Sequence, residues 1–229
     1  MNNKNLIISI IIKLIAIISS IYGIIKTYYG YITFTYFTTL SNVFITVTLI
    51  PFLIKDLLLI KNKKIEFNNY LYITKFLATI SITLTFFVFM TILAPTLKGG
   101  FINAYLLYDG ASFALHFLTP VLAIIDFLFF DNEYKSKNSH TIYAIIPPLV
   151  YVLFIVIISS LGQRWGNMYA PYNFLNFGAP TGWFGFDLSI LGWETLGIGV
   201  FYMIILLIII FIIIGRVFLY IRNKISNNE

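Results

Sequence analysis

Six long, nearly uncharged stretches dominate the sequence and leave few architectures open: Leu6 to Ile25, Phe34 to Ile54, Leu71 to Pro95, Leu106 to Phe130, Ile142 to Leu161 and Leu196 to Ile214. A helix needs about 20 predominantly apolar residues to cross a bilayer, and each stretch meets that length. Barrel strands are excluded, because they would be about half as long and would alternate apolar with polar residues. Composition agrees: 59% hydrophobic and only 10% charged residues cannot build a water-soluble surface. The one extended interruption, residues 162–192, is roughly 30 residues long and too short for an independent domain. The expectation is an all-α integral membrane protein, with residues 1–229 forming a single six-helix membrane domain. The first stretch has the length of a signal peptide. It carries Lys13 and lacks a small-residue cleavage site, so it reads as a retained helix.

A net charge of +6 would suggest nucleic acid in a soluble protein, but here the Lys and Arg residues flank the apolar runs, which is a topology signal. With the N-terminus inside, the cytoplasmic side collects Lys4, Lys55, Lys61, Lys63, Lys64, Lys75, Lys135, Lys137, Arg216, Arg222 and Lys224. The outside holds Lys26, Lys98 and Arg164. The expected topology therefore has both termini in the cytoplasm, and the richness in Ile, Asn, Lys and Phe gives the compositional impression of a bacterial protein. With no cysteine and two histidines in different segments, neither thiolate chemistry nor a metal centre is expected, and no cofactor is implied.

Ionisable and polar residues inside a span are costly and mark a buried pair or a function. Lys13 in the first run and Asp126 in the fourth both fall in the cytoplasmic half, where a structural ion pair or a snorkelling lysine accounts for them. His116 lies two to three turns inside the fourth run. At the start of the second, Thr38, Ser41 and Asn42 stand at i, i+3 and i+4 and share one helix face, at a height matching His116. Hydroxyl back-bonding and an amide bridge between helices are the plain reading of that cluster. The long outer connection, rich in Trp, Tyr, Gly and Pro, suits the headgroup layer, either as an interfacial loop or as a lid through Trp165, Tyr169 and Pro171. Glu194 and Asp187 read as solvated acids near a helix N-terminus.

At three places the sequence resembles the androgen-induced gene 1 family and its bacterial six-helix relatives. They are Tyr36-Phe37-Thr38 followed by Ser41-Asn42, then His116 with Pro120 and Asp126, then Gly166 to Tyr172. Animal members are membrane threonine hydrolases that cleave fatty acid esters of hydroxy fatty acids. The resemblance implies Thr38 as nucleophile and His116 as general base, with Thr39 or Ser41 as the alternative hydroxyl. Asn42, supported by Ser41, would serve as oxyanion donor or positioning group. The partner implied is a membrane lipid or fatty acyl ester. Two other readings stand beside the hydrolase: a carrier or channel whose pathway the same polar residues line, and a non-catalytic lipid-binding scaffold.

Overall fold

The computed structural model describes residues 3–63, 65–96, 100–131 and 136–226. Lys64, Lys98 and Lys135, three of the flanking cations, lie outside those residues. Six helices are long and apolar enough to cross a membrane, which is consistent with a multi-pass membrane protein. They are α1 (Asn3–Lys26), α2 (Phe37–Ile60), α3 (Asn69–Thr91), α5 (Ala111–Phe129), α6 (Ser139–Ser160) and α7 (Val200–Ser226), with a short α4 (Gly100–Leu106) between α3 and α5. Among the described residues there is no β-strand, and β pairing is limited to isolated bridges.

Several boundaries differ from the sequence reading. The start of the second run, Phe34, falls in a 3-10 turn (Tyr31–Thr35), and the helix proper begins at Phe37 after an extended Tyr36. The second run ends at Ile54 in that reading, whereas α2 runs on to Ile60 with Pro51 inside it. The last helix continues past Ile214 to Ser226. Its cationic end helps to bury Arg222 rather than simply flanking the membrane.

The chain divides into two compact units, residues 1–141 with 215–229, and residues 142–214. In the first unit, α1 packs on α2 and α5, and α3 packs on the same two helices, so the four close a ring. Burial is inverted relative to a soluble bundle. The inward face of α1 carries Ser9, Lys13, Ala16, Ser20 and Gly23, spaced three or four residues apart, whereas Ile18 is 64% exposed and Ile25 67%. Association in lipid is driven by close packing and interhelical hydrogen bonds, since apolar side chains gain nothing by leaving the acyl chains. Gly23 illustrates the packing: a Cβ there would lie 2.5 Å from Leu115 Cγ on α5.

Along its length this ring stacks three layers. Near one end Lys13, Lys55, Lys75, Asp56, Asp126 and Asp131 are buried together. An apolar belt follows, formed by Ala16, Ile17, Ile45, Leu49, Ala78, Ile82 and Ala123. Beyond it lies a hydroxyl and amide layer containing Ser20, Ser41, Asn42, Thr85 and Ser112. Lys13 and Ser20 are seven residues apart on α1, or about 10 Å along the axis.

In the second unit the long connection between α6 and α7 is a folded segment. Trp165 pairs its backbone with Met168, Asn173–Leu175 and Leu188–Ile190 form 3-10 turns, and Trp165, Ala170, Pro171 and Leu175 are buried.

Candidate functional site

The site is built around two breaks in helical geometry. α3 ends in a π turn, Phe89–Leu93, and α5 contains another, Ala114–Leu118. Single π turns inside helices concentrate at functional sites because they re-aim side chains and release carbonyls. The second leaves one carbonyl without a helical donor. Within it the Thr119 N–H bonds back five residues to Ala114. The next residue is Pro120, which has no N–H to give, so the Leu115 carbonyl loses its partner in that register. Asn42 of α2 supplies one: its Nδ2 donates to Leu115 O at 3.2 Å and to Thr38 O at 2.9 Å.

That amide stitches the first turn of α2 to the turn carrying His116. The two carbonyl oxygens share one donor nitrogen and so lie within about 6 Å of each other. Ser20 on α1 donates to the Asn42 carbonyl at 3.1 Å, and Ser19 to Ala114 O at 3.4 Å. Ser41 Oγ donates to Thr38 O at 3.0 Å and is 2.8 Å from Thr85 Oγ1 on α3. Four helices thus converge on one level, α1, α2 and α3 through small polar side chains and α5 through backbone carbonyls.

His116 is half-buried. Its ring stacks on Phe89 with centroids 3.8 Å apart and planes 19° apart, so the two π turns meet face to face. Nδ1 lies 2.9 Å from the Ser112 carbonyl. A carbonyl can only accept, so Nδ1 carries the hydrogen, and in the neutral ring Nε2 keeps its lone pair. The Ser112 hydroxyl lies 3.4 Å from the same Nδ1.

Of the three hydroxyls considered as nucleophile, Ser41 is engaged by Thr38 O and Thr85, and Thr39 is buried on another face of α2. Thr38 is half-buried, and among the described residues no hydrogen bond joins it to His116. Asn42 stands apart from the oxyanion role: the bonds made by its amide nitrogen go to two carbonyls, and its Oδ1 is buried with no hydrogen-bond partner among the described residues. Thr46 Oγ1 and Thr119 Oγ1 share that condition. Trp165, Tyr169 and Pro171 belong to the second unit. There Tyr169 lies under the Arg164 guanidinium at 3.9 Å, and its N–H donates to Asn176 Oδ1.

The ionic layer is the second concentration of chemistry. Lys13 Nζ reaches Asp56 at 2.7 Å, Asp126 at 2.8 Å and Asp131 at 3.0 Å, so the pair read from sequence is one edge of a larger network. Lys75 contacts Asp126 and Asp131, and Lys55 contacts Asp131 at 3.4 Å and Tyr72 Oη at 3.0 Å. Arg222 donates to the Asp131 carbonyl at 2.6 Å and lies over the Phe127 ring. Asp131 follows the end of α5 in a left-handed conformation, φ 57°, which turns its side chain into the layer. Burial pushes its carboxyl up, but Lys75, Lys13 and Lys55 together outweigh that and hold it well below the usual carboxylate range.

Sequence reasoning missed Lys55, Lys75, Asp56, Asp131 and Arg222 because charges at helix ends look like ordinary flanking residues. The available signal was three Asp positions close to Lys positions at one expected depth. It also missed Phe89 and Ser112, the two groups that fix the imidazole; Ser112 stands one helical turn before His116. Comparison of the chain with family models, with curated proteins and with solved structures gives no match.

Proposed function

We propose that this protein is an intramembrane lipid ester hydrolase in which Thr38 is the nucleophile and His116 the general base. One observation carries the reading: an imidazole whose Nδ1 hydrogen is committed to the Ser112 carbonyl, on a π turn stitched by Asn42 to the turn that bears Thr38. Such a histidine is oriented with Nε2 as the proton acceptor, the requirement for activating an aliphatic hydroxyl. The engagement of Ser41 by Thr85 favours Thr38 over its neighbour.

In the proposed reaction the Thr38 oxygen attacks the ester carbonyl while its proton passes to His116 Nε2. Collapse of the tetrahedral adduct breaks the acyl–oxygen bond, and the departing alkoxide takes that proton, leaving an acyl-threonine. Water then attacks the acyl-threonine, again with His116 as base, releasing the fatty acid and restoring Thr38. Asn42 acts as a positioning residue. The substrate class follows from the resemblance of these motifs to the androgen-induced gene 1 family: a fatty acyl ester, with its chains in the bilayer and its ester near the interface. The excess of Lys and Arg on one set of connections supports cytoplasmic termini, and the resemblance to bacterial six-helix relatives supports a bacterial cytoplasmic membrane.

The test is covalent labelling by a fluorophosphonate, together with hydrolysis of a long-chain ester. Thr38→Ala and His116→Ala should each abolish labelling and lower turnover by about 10² to 10⁴, the usual worth of a positioned base or nucleophile. Unchanged labelling in either folded variant would refute the assignment. The ionic layer favours a second reading, an ion-coupled carrier, because buried charges commonly mark ion paths. Solute uptake by reconstituted vesicles, lost in Lys13 or Asp126 variants and without labelling at Thr38, would establish that reading instead.

A further inference from the structure

The aromatic connection of the second unit divides into two parts with opposite burial. Its first part folds inward: Leu175, Phe177 and Trp183 enclose a small apolar space with Ile155 of α6 and Val200 of α7, and Phe177 stacks on Trp183 at 5.2 Å. Asn176 locks this part, accepting from the Tyr169 N–H and donating to the Glu194 carbonyl. The second part, residues 184–193, turns outward. Backbone bonds close its base: Gly199 N to Gly185 O at 2.7 Å, Asp187 N to Gly197 O at 2.8 Å, and Gly192 N to Thr195 O at 3.0 Å. Gly199 and Gly197 permit this pairing, since a Cβ on either would lie about 2.5 Å from the opposing carbonyl oxygen.

The large side chains of this excursion point away from the protein. Phe184 and Phe186 are each 67% exposed and Trp193 is 86% exposed, with Leu188 and Leu191 between them also more than half exposed. A soluble loop would hide such residues; a loop at the edge of a bilayer has the lipid to cover them.

We infer that residues 184–193 are a membrane-interface anchor, seated in the headgroup and upper acyl region of the bilayer that surrounds the spans. Continuity names the occupant. Phe184 packs on Phe201 at 5.2 Å, in the first turn of α7, and Phe201 begins the outward apolar stripe continued by Tyr202, Ile205, Leu206 and Ile209. The excursion extends the lipid-facing surface of a span. Its charge agrees: between Arg164 and Arg216 the sequence has no Lys or Arg, so anionic headgroups have nothing to pair with. Asp187 turns its carboxylate onto the N–H and hydroxyl of Ser189, within the excursion itself. Anchoring therefore rests on apolar area and aromatic rings, and zwitterionic lipid serves as well as anionic lipid.

The experiment uses the full chain in phosphatidylcholine nanodiscs. With Trp165→Phe and Trp183→Phe, Trp193 is the sole tryptophan; lipids brominated near the top of the acyl chain should quench its emission at least about two-fold, and aqueous iodide should have little effect. Replacing the lipid with phosphatidylglycerol should leave the quenching unchanged. The chain has no cysteine, so a spin label at Leu191→Cys gives a second measurement with all three tryptophans in place. It should be relaxed by oxygen more than by a water-soluble nickel chelate. Iodide quenching with bromolipid insensitivity, or preferential relaxation by nickel, would overturn the inference. Protection from both quenchers in discs holding two chains would also overturn it, by making a second copy the occupant.

Discussion

Replacing Asp126 by Asn and Lys13 by Met, singly and together, tests whether the ionic layer is a network or a set of independent pairs. Both side chains are fully buried, 2.8 Å apart. At that distance, with an effective dielectric constant of about 20, the direct attraction is about 6 kcal/mol. Desolvation of both ions offsets much of it, so removal of one partner from a buried pair costs about 3–5 kcal/mol. The surroundings set the order. Among the described residues the layer has four cations, Lys13, Lys55, Lys75 and Arg222, facing three carboxylates, Asp56, Asp126 and Asp131. Asp126→Asn raises the cationic surplus to two, whereas Lys13→Met brings the counts level. Lys13→Met also withdraws a cation from three carboxylates and leaves Asp56 with the Ser9 hydroxyl.

Each single change should therefore lower stability by about 3–5 kcal/mol, with Asp126→Asn the worse. The double variant should fall short of the sum by at least about 2 kcal/mol, because neither ion is left behind. Equilibrium unfolding of the purified protein in mixed micelles, with increasing anionic detergent as denaturant, measures all four states of the cycle. Singles that each cost under about 1 kcal/mol and add within about 0.5 kcal/mol would refute the network.

Other expectations concern single atoms. Asn42→Ala leaves the Leu115 carbonyl buried without its donor and should cost about 1–3 kcal/mol; adding Pro120→Ala restores an N–H in the π register and should recover part of that loss, which the same unfolding assay reads. An equal penalty for Asn42→Ala in both backgrounds would mean that the orphaned carbonyl is not the cause. Gly23→Ala drives a methyl group into Leu115 and should cost about 1–3 kcal/mol, with rescue by Leu115→Ala as the check. The folded-state pKa of Asp131 lies below its ordinary value of 3.8, so its contribution is complete above about pH 4 and is lost as pH falls below that. Thermal midpoints should drop on acidification in that window, and less steeply in Asp131→Asn.

Continuity of apolar residues made the six spans legible, because the bilayer demands length before anything else. The same signal could not place the end of α2 or α7. Lys55 and Asp56 look like the end of the second run, yet α2 continues through them to Ile60, and the basic end of α7 looks like a solvated flank, yet Arg222 finds the Asp131 carbonyl and the Phe127 ring. Lys13 with Asp126 was legible as a pair because both sit deep inside apolar runs. Lys55 and Lys75 were not, since a lysine near a helix end serves equally well as a topology signal. The shared face of Thr38, Ser41 and Asn42 followed from helical spacing. The π turn did not, because it is a local shift in which the Thr119 N–H bonds to Ala114 instead of Leu115, and periodicity carries no trace of that.

The two polar layers differ in what a perturbation can reach. In the ionic layer Lys13 and Lys75 each touch two or more carboxylates, so a change at one site redistributes charge across α1, α2, α3 and the end of α5. In the hydroxyl layer the bonds to Leu115, Ala114 and Asn42 end on backbone carbonyls, so each side chain sets the position of a neighbouring turn without moving charge. A belt of Ala, Ile and Leu separates them, with the buried hydroxyls of Thr46, Thr79 and Thr83 set beside it. The imidazole itself is held by Ser112, Phe89 and the stitch through Asn42, while the lysines and aspartates fix how the helices that carry it are registered against one another.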